Sequence, residues 1–266
     1  MTNQFALSLE ALTELAPEIQ AAQADPQPAL PQLSEVLAEF SALPREALFL
    51  GLASDGLPVL LNLNDAVPGP LLVIGDAGSG KTNLLHVITR AVQNIHDPQD
   101  VQYGVITSHP QEWGGFDNSG HCVGIHDVND KLAQGFLESL SEWTHSNKGQ
   151  GSFILMLIDD LEAISNVKEA QQNLSWLLSR GTARHVWPIV TLNTKRAIHV
   201  NPWLGFFRTR LFGHMDNPLE ARALSGSDAK LDELMTGVQF AMREGNEWLK
   251  FWLPSLGLDP DTEVVE

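Results

Sequence analysis

Apolar and polar positions change period several times along the chain. Phe5, Leu7, Leu9, Leu12, Leu15 and Ile19, with polar residues between them, predict an amphipathic helix over residues 5–24 that Pro17 divides. ADPQPALPQ (24–32) reads as a connector and LSEVLAEFSAL (33–43) as a second helix, together a helical hairpin. Beyond it the spacing shortens. ALFLGL (47–52), the turn signal Ser54-Asp55-Gly56 and PVLLNL (58–63) predict a β-hairpin, and LLVIG (71–75) a short strand running into a glycine-rich turn. TNLLHVITRAVQNI (82–95) returns to helical spacing, VQYGVIT (101–107) and CVGI (122–125) read as strands, and Asp127 or Asp130 caps a helix through KLAQGFLESLSEWTH. The uninterrupted run FILMLI (153–158) is that of a central strand buried on both faces. A helix over 167–180 and the strand VWPIVTLN (186–193) follow, with Pro188 an awkward member of the strand. TRLFGH (209–214) and VQFAMR (238–243) complete the strands, and a turn at Glu244-Gly245-Asn246 leads into EWLKFWL. Strands alternating with helices predict an α/β fold with a mostly parallel sheet, finished by a small antiparallel region. The expected organisation is a helical N-terminal appendage (1–45), one main domain (46–256) and an acidic flexible tail (257–266).

The chemistry concentrates where strand 71–75 ends. Gly75, Asp76, Ala77, Gly78, Ser79, Gly80, Lys81 and Thr82 complete the phosphate-binding pattern, placed between an apolar strand and an amphipathic helix as that pattern requires. Glycines let successive N–H groups face phosphate oxygens, the helix that follows presents its positive end, Lys81 reaches the outer phosphates, and the Thr82 hydroxyl completes magnesium coordination. Asn83 lies in the first turn of that helix and joins the expected nucleotide contacts. Asp76 is unusual in such a loop, because a carboxylate facing a polyphosphate is repelled; it is expected to point outward. The run FILMLI ends in Asp159-Asp160, which puts Asp159 in position to hold the magnesium ion and either Asp160 or Glu162 in position to orient or deprotonate water. Asn193, ending another strand, either contacts the terminal phosphate or caps its own turn.

Charge adds a constraint. Thirty-three acids against 16 Lys and Arg give a net charge of −17, which opposes long-range attraction to a polyanion unless the basic residues gather. Arg180, Arg184, Lys195, Arg196, Arg208 and Arg210 fall within one short stretch, whereas only Arg45 precedes Lys81. Arg180, Arg184, Arg208 and Arg210 are candidates to reach a nucleotide on an adjacent subunit, or else ordinary surface ion pairs. The lone Cys122 excludes an intrachain disulfide, the nine histidines form no compact ligand motif, and no apolar run is long enough to cross a bilayer. The acidic start of the chain is unlike a secretory leader, so a cytoplasmic protein without membrane insertion is expected.

From about Leu48 to Leu256 the chain resembles the motor-domain family of FtsK, SpoIIIE and HerA. LGLASDGLPVLLNLNDAVPGPLLVIGDAGSGKT is similar to that family's hairpin, connector and nucleotide loop, and LIDDLEAI to its acidic strand end. IVTLNT resembles the strand carrying its phosphate-sensing glutamine, RTRLFGHMDNPLEARALSG the strand and helix after it, and LMTGVQFAMREG the closing hairpin. The resemblance implies a RecA-like core, ATP with Mg2+, a homo-oligomer such as a hexameric ring with active sites completed between subunits, and DNA threaded through an assembled channel. The N-terminal helices would then be free for a protein partner. Asp160 stands where the family has glutamate and Asn193 where it has glutamine, and the shorter side chains imply slow hydrolysis. Two functions therefore stay open: an ATPase module of a DNA-handling or macromolecule-moving assembly, and a nucleotide-gated regulatory or scaffold subunit with weak or no turnover.

Overall fold

The computed structural model describes residues 30–257 except 41, 42, 148 and 246. The helix expected at 5–24 and the tail at 258–266 lie outside the described residues. From Gln32 onward the elements in chain order are α1 (Leu33–Glu39), β1 (Ala47–Ala53), β2 (Pro58–Asn62), β3 (Leu71–Gly75), α2 (Lys81–Ile95), β4 (Val101–Thr107), β5 (Cys122–Asp127), α3 (Lys131–Asn147) and β6 (Phe153–Asp159). They continue with α4 (Leu161–Ser165), α5 (Lys168–Arg180), β7 (Val186–Asn193), α6 (Asn201–Leu204), β8 (Thr209–Phe212), α7 (Pro218–Ser225), β9 (Gln239–Glu244) and β10 (Glu247–Trp252).

All the strands join one sheet of order β2-β1-β10-β9-β8-β3-β7-β6-β4-β5. From β8 to β5 the neighbours run parallel, and from β8 through β9, β10 and β1 to β2 they run antiparallel. The expected closing hairpin, β9–β10, thus meets the N-terminal hairpin, with Leu52 opposite Trp252, so that both complete a single sheet.

The apolar runs bury both faces by simple alternation. Leu71 and Val73, Leu155 and Leu157, and Trp187 and Ile189 enter one core with Leu84, Leu85 and Ile88 of α2. Leu72 and Ile74, Met156 and Ile158, and Val190 and Leu192 enter the other with Leu137 of α3 and Leu174 and Leu177 of α5. Trp187, fully buried, donates its indole N–H to the Leu63 carbonyl at 3.0 Å and ties a central strand to the end of the N-terminal hairpin. Pro188 is accommodated in β7 because the β3 ladder starts only at Ile189, so its missing N–H removes no rung on that side.

Boundaries depart from expectation in a few places. α1 ends at Glu39, with Phe40 as its C-cap, rather than at residue 43. β5 continues two residues past Ile125, β8 stops at Phe212, and the short helix α4 was not anticipated. α4 exists because Asp160 accepts the Glu162 N–H at 3.0 Å and starts a turn that the strand run does not signal.

Candidate functional site

The parallel strands deliver their carboxyl ends to one rim of the sheet, with Gly75 of β3 directly opposite Asn193 of β7. Open α/β sheets bind ligands at this rim. Gly75 leads through the loop into Gly80, the N-cap of α2, whose φ is 92°. A Cβ on Gly75 would lie 2.4 Å from Ser79 Oγ, and one on Gly80 would lie 2.3 Å from the Gly237 carbonyl oxygen. At Gly80 glycine is therefore required by close approach to backbone as well as by dihedral angle, whereas at Gly75 the close approach is to the Ser79 side chain. Lys81 Nζ donates to the carbonyls of Gly75 at 3.1 Å and Asp76 at 2.7 Å. Burial pushes its pKa down, against the pull of the Asp159, Asp76 and Asp160 carboxylates.

Across the rim, Thr82 Oγ1 donates to Asp159 Oδ2 at 2.9 Å, and Thr191 Oγ1 donates to Asp159 Oδ1 at 2.7 Å. Asp159 is thus held from both sides, and its contact with Thr82 spans 77 residues of sequence. Asp160 follows with φ 99° and ψ 93°, a conformation rare outside glycine, and its N–H donates to Thr191 Oγ1 at 2.9 Å. Oδ1 of Asp160 accepts the Glu162 N–H, and Oδ2 faces Arg196 Nη1 at 3.3 Å. Glu162 is engaged on both oxygens, by Arg196 at 2.6 Å and by His199 Nδ1 at 2.8 Å. Burial works to raise the pKa of Glu162, but its hydrogen bonds from His199 and Arg196 and their charges bring it below the usual value.

Asn193 lines the same cavity, and its side-chain oxygen accepts the Lys195 N–H at 3.1 Å, capping the turn after β7. The basic stretch divides. Lys195 and Arg196 follow the carboxyl end of β7, whereas Arg180 ends α5, Arg184 precedes β7 and Arg208 precedes β8, all at the opposite rim. Thr209 pairs with Leu71, four residues upstream of Gly75, so Arg208 is about 13 Å or more along the sheet from the phosphate loop at roughly 3.3 Å per residue. Arg210 is half-buried, its guanidinium donating to the carbonyls of Phe207 at 3.3 Å, Leu224 at 2.8 Å and Leu204 at 3.0 Å. Those bonds make it a fastener between β8, α6 and α7.

Asp76 does point away from the cradle. Its Oδ2 accepts the Asp216 N–H at 2.8 Å, and its own N–H donates to the His214 carbonyl at 3.0 Å. The His214 ring bridges the Leu234 carbonyl and the Asp216 carboxylate, each at 2.8 Å. Burial works to lower its pKa, but these two hydrogen bonds and the charges of Asp216 and Asp76 raise it overall. A raised folded-state value stabilises the fold below the unfolded pKa of about 6.5, and that contribution is lost as pH rises through the folded value. Thermal melts of wild type and Asp216→Asn should therefore differ most near pH 6 and converge near pH 8.5, by less than about 1 kcal/mol because Asp216 is exposed. A gap independent of pH would refute the linkage.

The cavity at this rim, about 290 Å³, is lined by Ala77, Lys81, Thr82, Asp159, Asp160, Thr191, Asn193 and Arg196 together with Ser108, His109 and Glu112. Arg196 is expected from the sequence only as one of a basic stretch able to hold an anion, and no role at this site is expected for Thr191 or for the segment after β4. The signal available for the last was that Ser108 directly follows a parallel strand, where its loop must open on the same rim. A larger cavity of about 800 Å³, between residues 194–205 and α7, includes none of the residues of the phosphate loop.

No protein-family model matches the sequence, and no curated protein matches it. Solved structures do. The cytoplasmic domain of the Type VII secretion ATPase EccC from Thermomonospora curvata superposes with a TM-score of 0.66 at 16% identity, over 87% of this chain and 28% of that one. EssC (ATPases 2 and 3) from Geobacillus thermodenitrificans gives 0.66 at 15% identity, over 87% of this chain and 48% of its own. The pCW3 conjugation coupling protein TcpA, solved with ATPγS, gives 0.68 at 13% identity, over 86% and 70%. The chain thus spans less than half the length of these secretion proteins. At such identities the likeness is one of architecture: this chain carries the RecA-like P-loop fold of secretion and conjugation ATPase domains, the fold that the motor-family resemblance implied.

Proposed function

We propose that the chain binds ATP with Mg2+ at the rim formed by Gly75–Asn83 and Asp159, and hydrolyses it as a module of an assembly that moves DNA or another macromolecule. The observation that carries this reading is the contact of Thr82 with Asp159 beside a desolvated Lys81. A hydroxyl and a carboxylate converging from two elements are hard oxygen donors suited to magnesium, and the Gly78 backbone, with φ 76° and no neighbour near its Cβ position, leaves room for phosphate. Magnesium bound there supplies positive charge against the phosphate oxygens.

In this reading Lys81 and the loop N–H groups bind the phosphates, Thr82 and Asp159 hold the metal, and Thr191 fixes the carboxylate of Asp159. Asn193 keeps its amide N–H groups for the terminal phosphate, since its oxygen caps the turn. Asp160 or Glu162 takes the proton from water. Arg180, Arg184 and Arg208, remote from their own phosphate loop, serve a neighbouring copy in a homo-oligomer, with a hexameric ring as the form suggested by the sequence resemblance; Arg210 has a structural role. The fold of secretion and conjugation ATPases supports a moving assembly, with DNA or protein as its cargo. A nucleotide-gated scaffold is favoured by a different observation: both oxygens of Asp160 and of Glu162 already have partners.

Steady-state ATP hydrolysis across protein concentrations, with and without double-stranded DNA, separates these readings when Asp159→Ala serves as the control. The motor reading expects a rate that rises faster than protein concentration and falls about a hundredfold or more in the variant. Stimulation by DNA would identify the cargo. A rate equal to that of the control, in protein that binds ATP, would favour the scaffold, and failure to bind Mg-ATP would sink both.

A further inference from the structure

Arg196 bridges two carboxylates at the edge of the nucleotide cavity, and the arrangement is asymmetric. Its Nη1 is 2.6 Å from Glu162 Oε2 and 3.3 Å from Asp160 Oδ2, while His199 takes the remaining oxygen of Glu162. The arginine side chain is 51% exposed, whereas Glu162 is 16% and Asp160 29% exposed. The carboxylates are therefore fixed, and the guanidinium is the partner with room to move. It extends from the short turn Thr194–Arg196 that follows Asn193, and it lines the same cavity as Lys81 and Thr82. Among the described residues lining that cavity, Lys81 and Arg196 are the strongly basic ones, set against Asp159, Asp160 and Glu112. A guanidinium fork donates to carboxylate or phosphate oxygens with the same geometry.

We propose that Arg196 is the residue by which this site distinguishes a nucleoside triphosphate from a diphosphate, exchanging the carboxylates of Asp160 and Glu162 for the terminal phosphate oxygens. The exchange withdraws a hydrogen-bond donor from Oδ2 of Asp160 and so leaves that oxygen available to a water molecule. Arg196 thus couples recognition of the outer phosphate to release of the carboxylate, and the competition between its two sets of acceptors sets the affinity. This inference rests on the nucleotide-binding reading above.

The competition has a signature that a purely structural ion pair lacks. Arg196→Ala should weaken binding of ATPγS about tenfold and leave ADP nearly unchanged, as expected for losing one charge-assisted contact. Glu162→Gln, which loosens the hold on Arg196, should act in the opposite direction and tighten ATPγS binding severalfold, again with little effect on ADP. Arg196→Lys, which keeps the charge and loses the fork, should fall between wild type and Arg196→Ala. Fluorescence titrations with both nucleotides and Mg2+ give the ratios directly, with melting temperatures recorded in parallel. Should Arg196→Ala fail to fold, Glu162→Gln and Arg196→Lys still decide the matter. If wild type binds both nucleotides and the ATPγS-to-ADP ratio is unmoved, or if the alanine and glutamine variants shift it the same way, the assignment of Arg196 is wrong. If wild type binds neither, the nucleotide reading itself falls and takes this one with it.

Discussion

Lys81→Met should lose ATP binding by about a hundredfold to a thousandfold, the scale of removing a charged contact from a partly enclosed anion site, while the nucleotide-free protein melts no lower than wild type. The two halves of this result have one cause. The Lys81 ammonium lies mostly out of water with neutral carbonyls of Gly75 and Asp76 as its nearest partners, and burial depresses its pKa despite three carboxylates in the neighbourhood. Such a charge is costly in the absence of an anion and favourable in its presence. Methionine matches the stem and removes the charge, so the folded state loses little and the site loses its main cation. Isothermal titration together with differential scanning calorimetry tests both halves. Retention of wild-type ATP affinity would remove Lys81 from the site, and a melting temperature several degrees lower would show that the ammonium stabilises the fold after all.

Gly80→Ala should cost about 3 kcal/mol of stability, which for a domain of this size lowers the melting temperature by roughly 6–12 °C. Its φ of 92° is unfavourable for any side chain, and the added Cβ would meet the carbonyl oxygen, carbonyl carbon and Cα of Gly237 at 2.3, 2.6 and 2.8 Å. Backbone on both sides cannot yield as a side chain would. The same carbonyl accepts the Asn83 side-chain N–H at 3.2 Å, so displacement of Gly237 also disturbs the first turn of α2. Gly78→Ala is the matched control: its φ is 76°, but nothing lies within 4 Å of the Cβ position. That variant should lose only about 1 kcal/mol. Equal losses in the two proteins would mean that the approach of residue 237 is unimportant.

Much of the fold is legible in the chain because the sheet is buried on both faces. LLVIG, VQYGVIT and VWPIVTLN stand out as apolar runs and become β3, β4 and β7 with the expected bounds. The phosphate loop is equally plain, since its glycines, Lys81 and Thr82 keep a fixed spacing between an apolar strand and an amphipathic helix. Asp76 could be turned outward by electrostatics alone, although the loop that receives it, residues 214–216, could not be foreseen. The basic stretch from Arg180 to Arg210 looked like one cluster because sequence distance hides the direction of a strand. β7 lies between Arg184 and Lys195, and its eight residues carry Lys195 and Arg196 to the rim opposite Arg180, Arg184 and Arg208. Arg196 is legible only as part of the basic stretch, and Thr191 not at all, for a related reason. Their contacts with Asp160 and Asp159 depend on the register between β6 and β7, and no local pattern encodes it.

Asp160 shows where folding preference and the retained residue part company. A glycine would adopt φ 99° freely, and as a helix N-cap it would give up only a few tenths of a kcal/mol relative to aspartate, against roughly 1–3 kcal/mol for holding a side chain in such a conformation. Stability alone therefore favours glycine at the end of β6. The chain instead keeps a carboxylate in a backbone conformation that resists it, beside the metal-binding candidate Asp159, and so trades durability of the fold for a charge at this point of the rim.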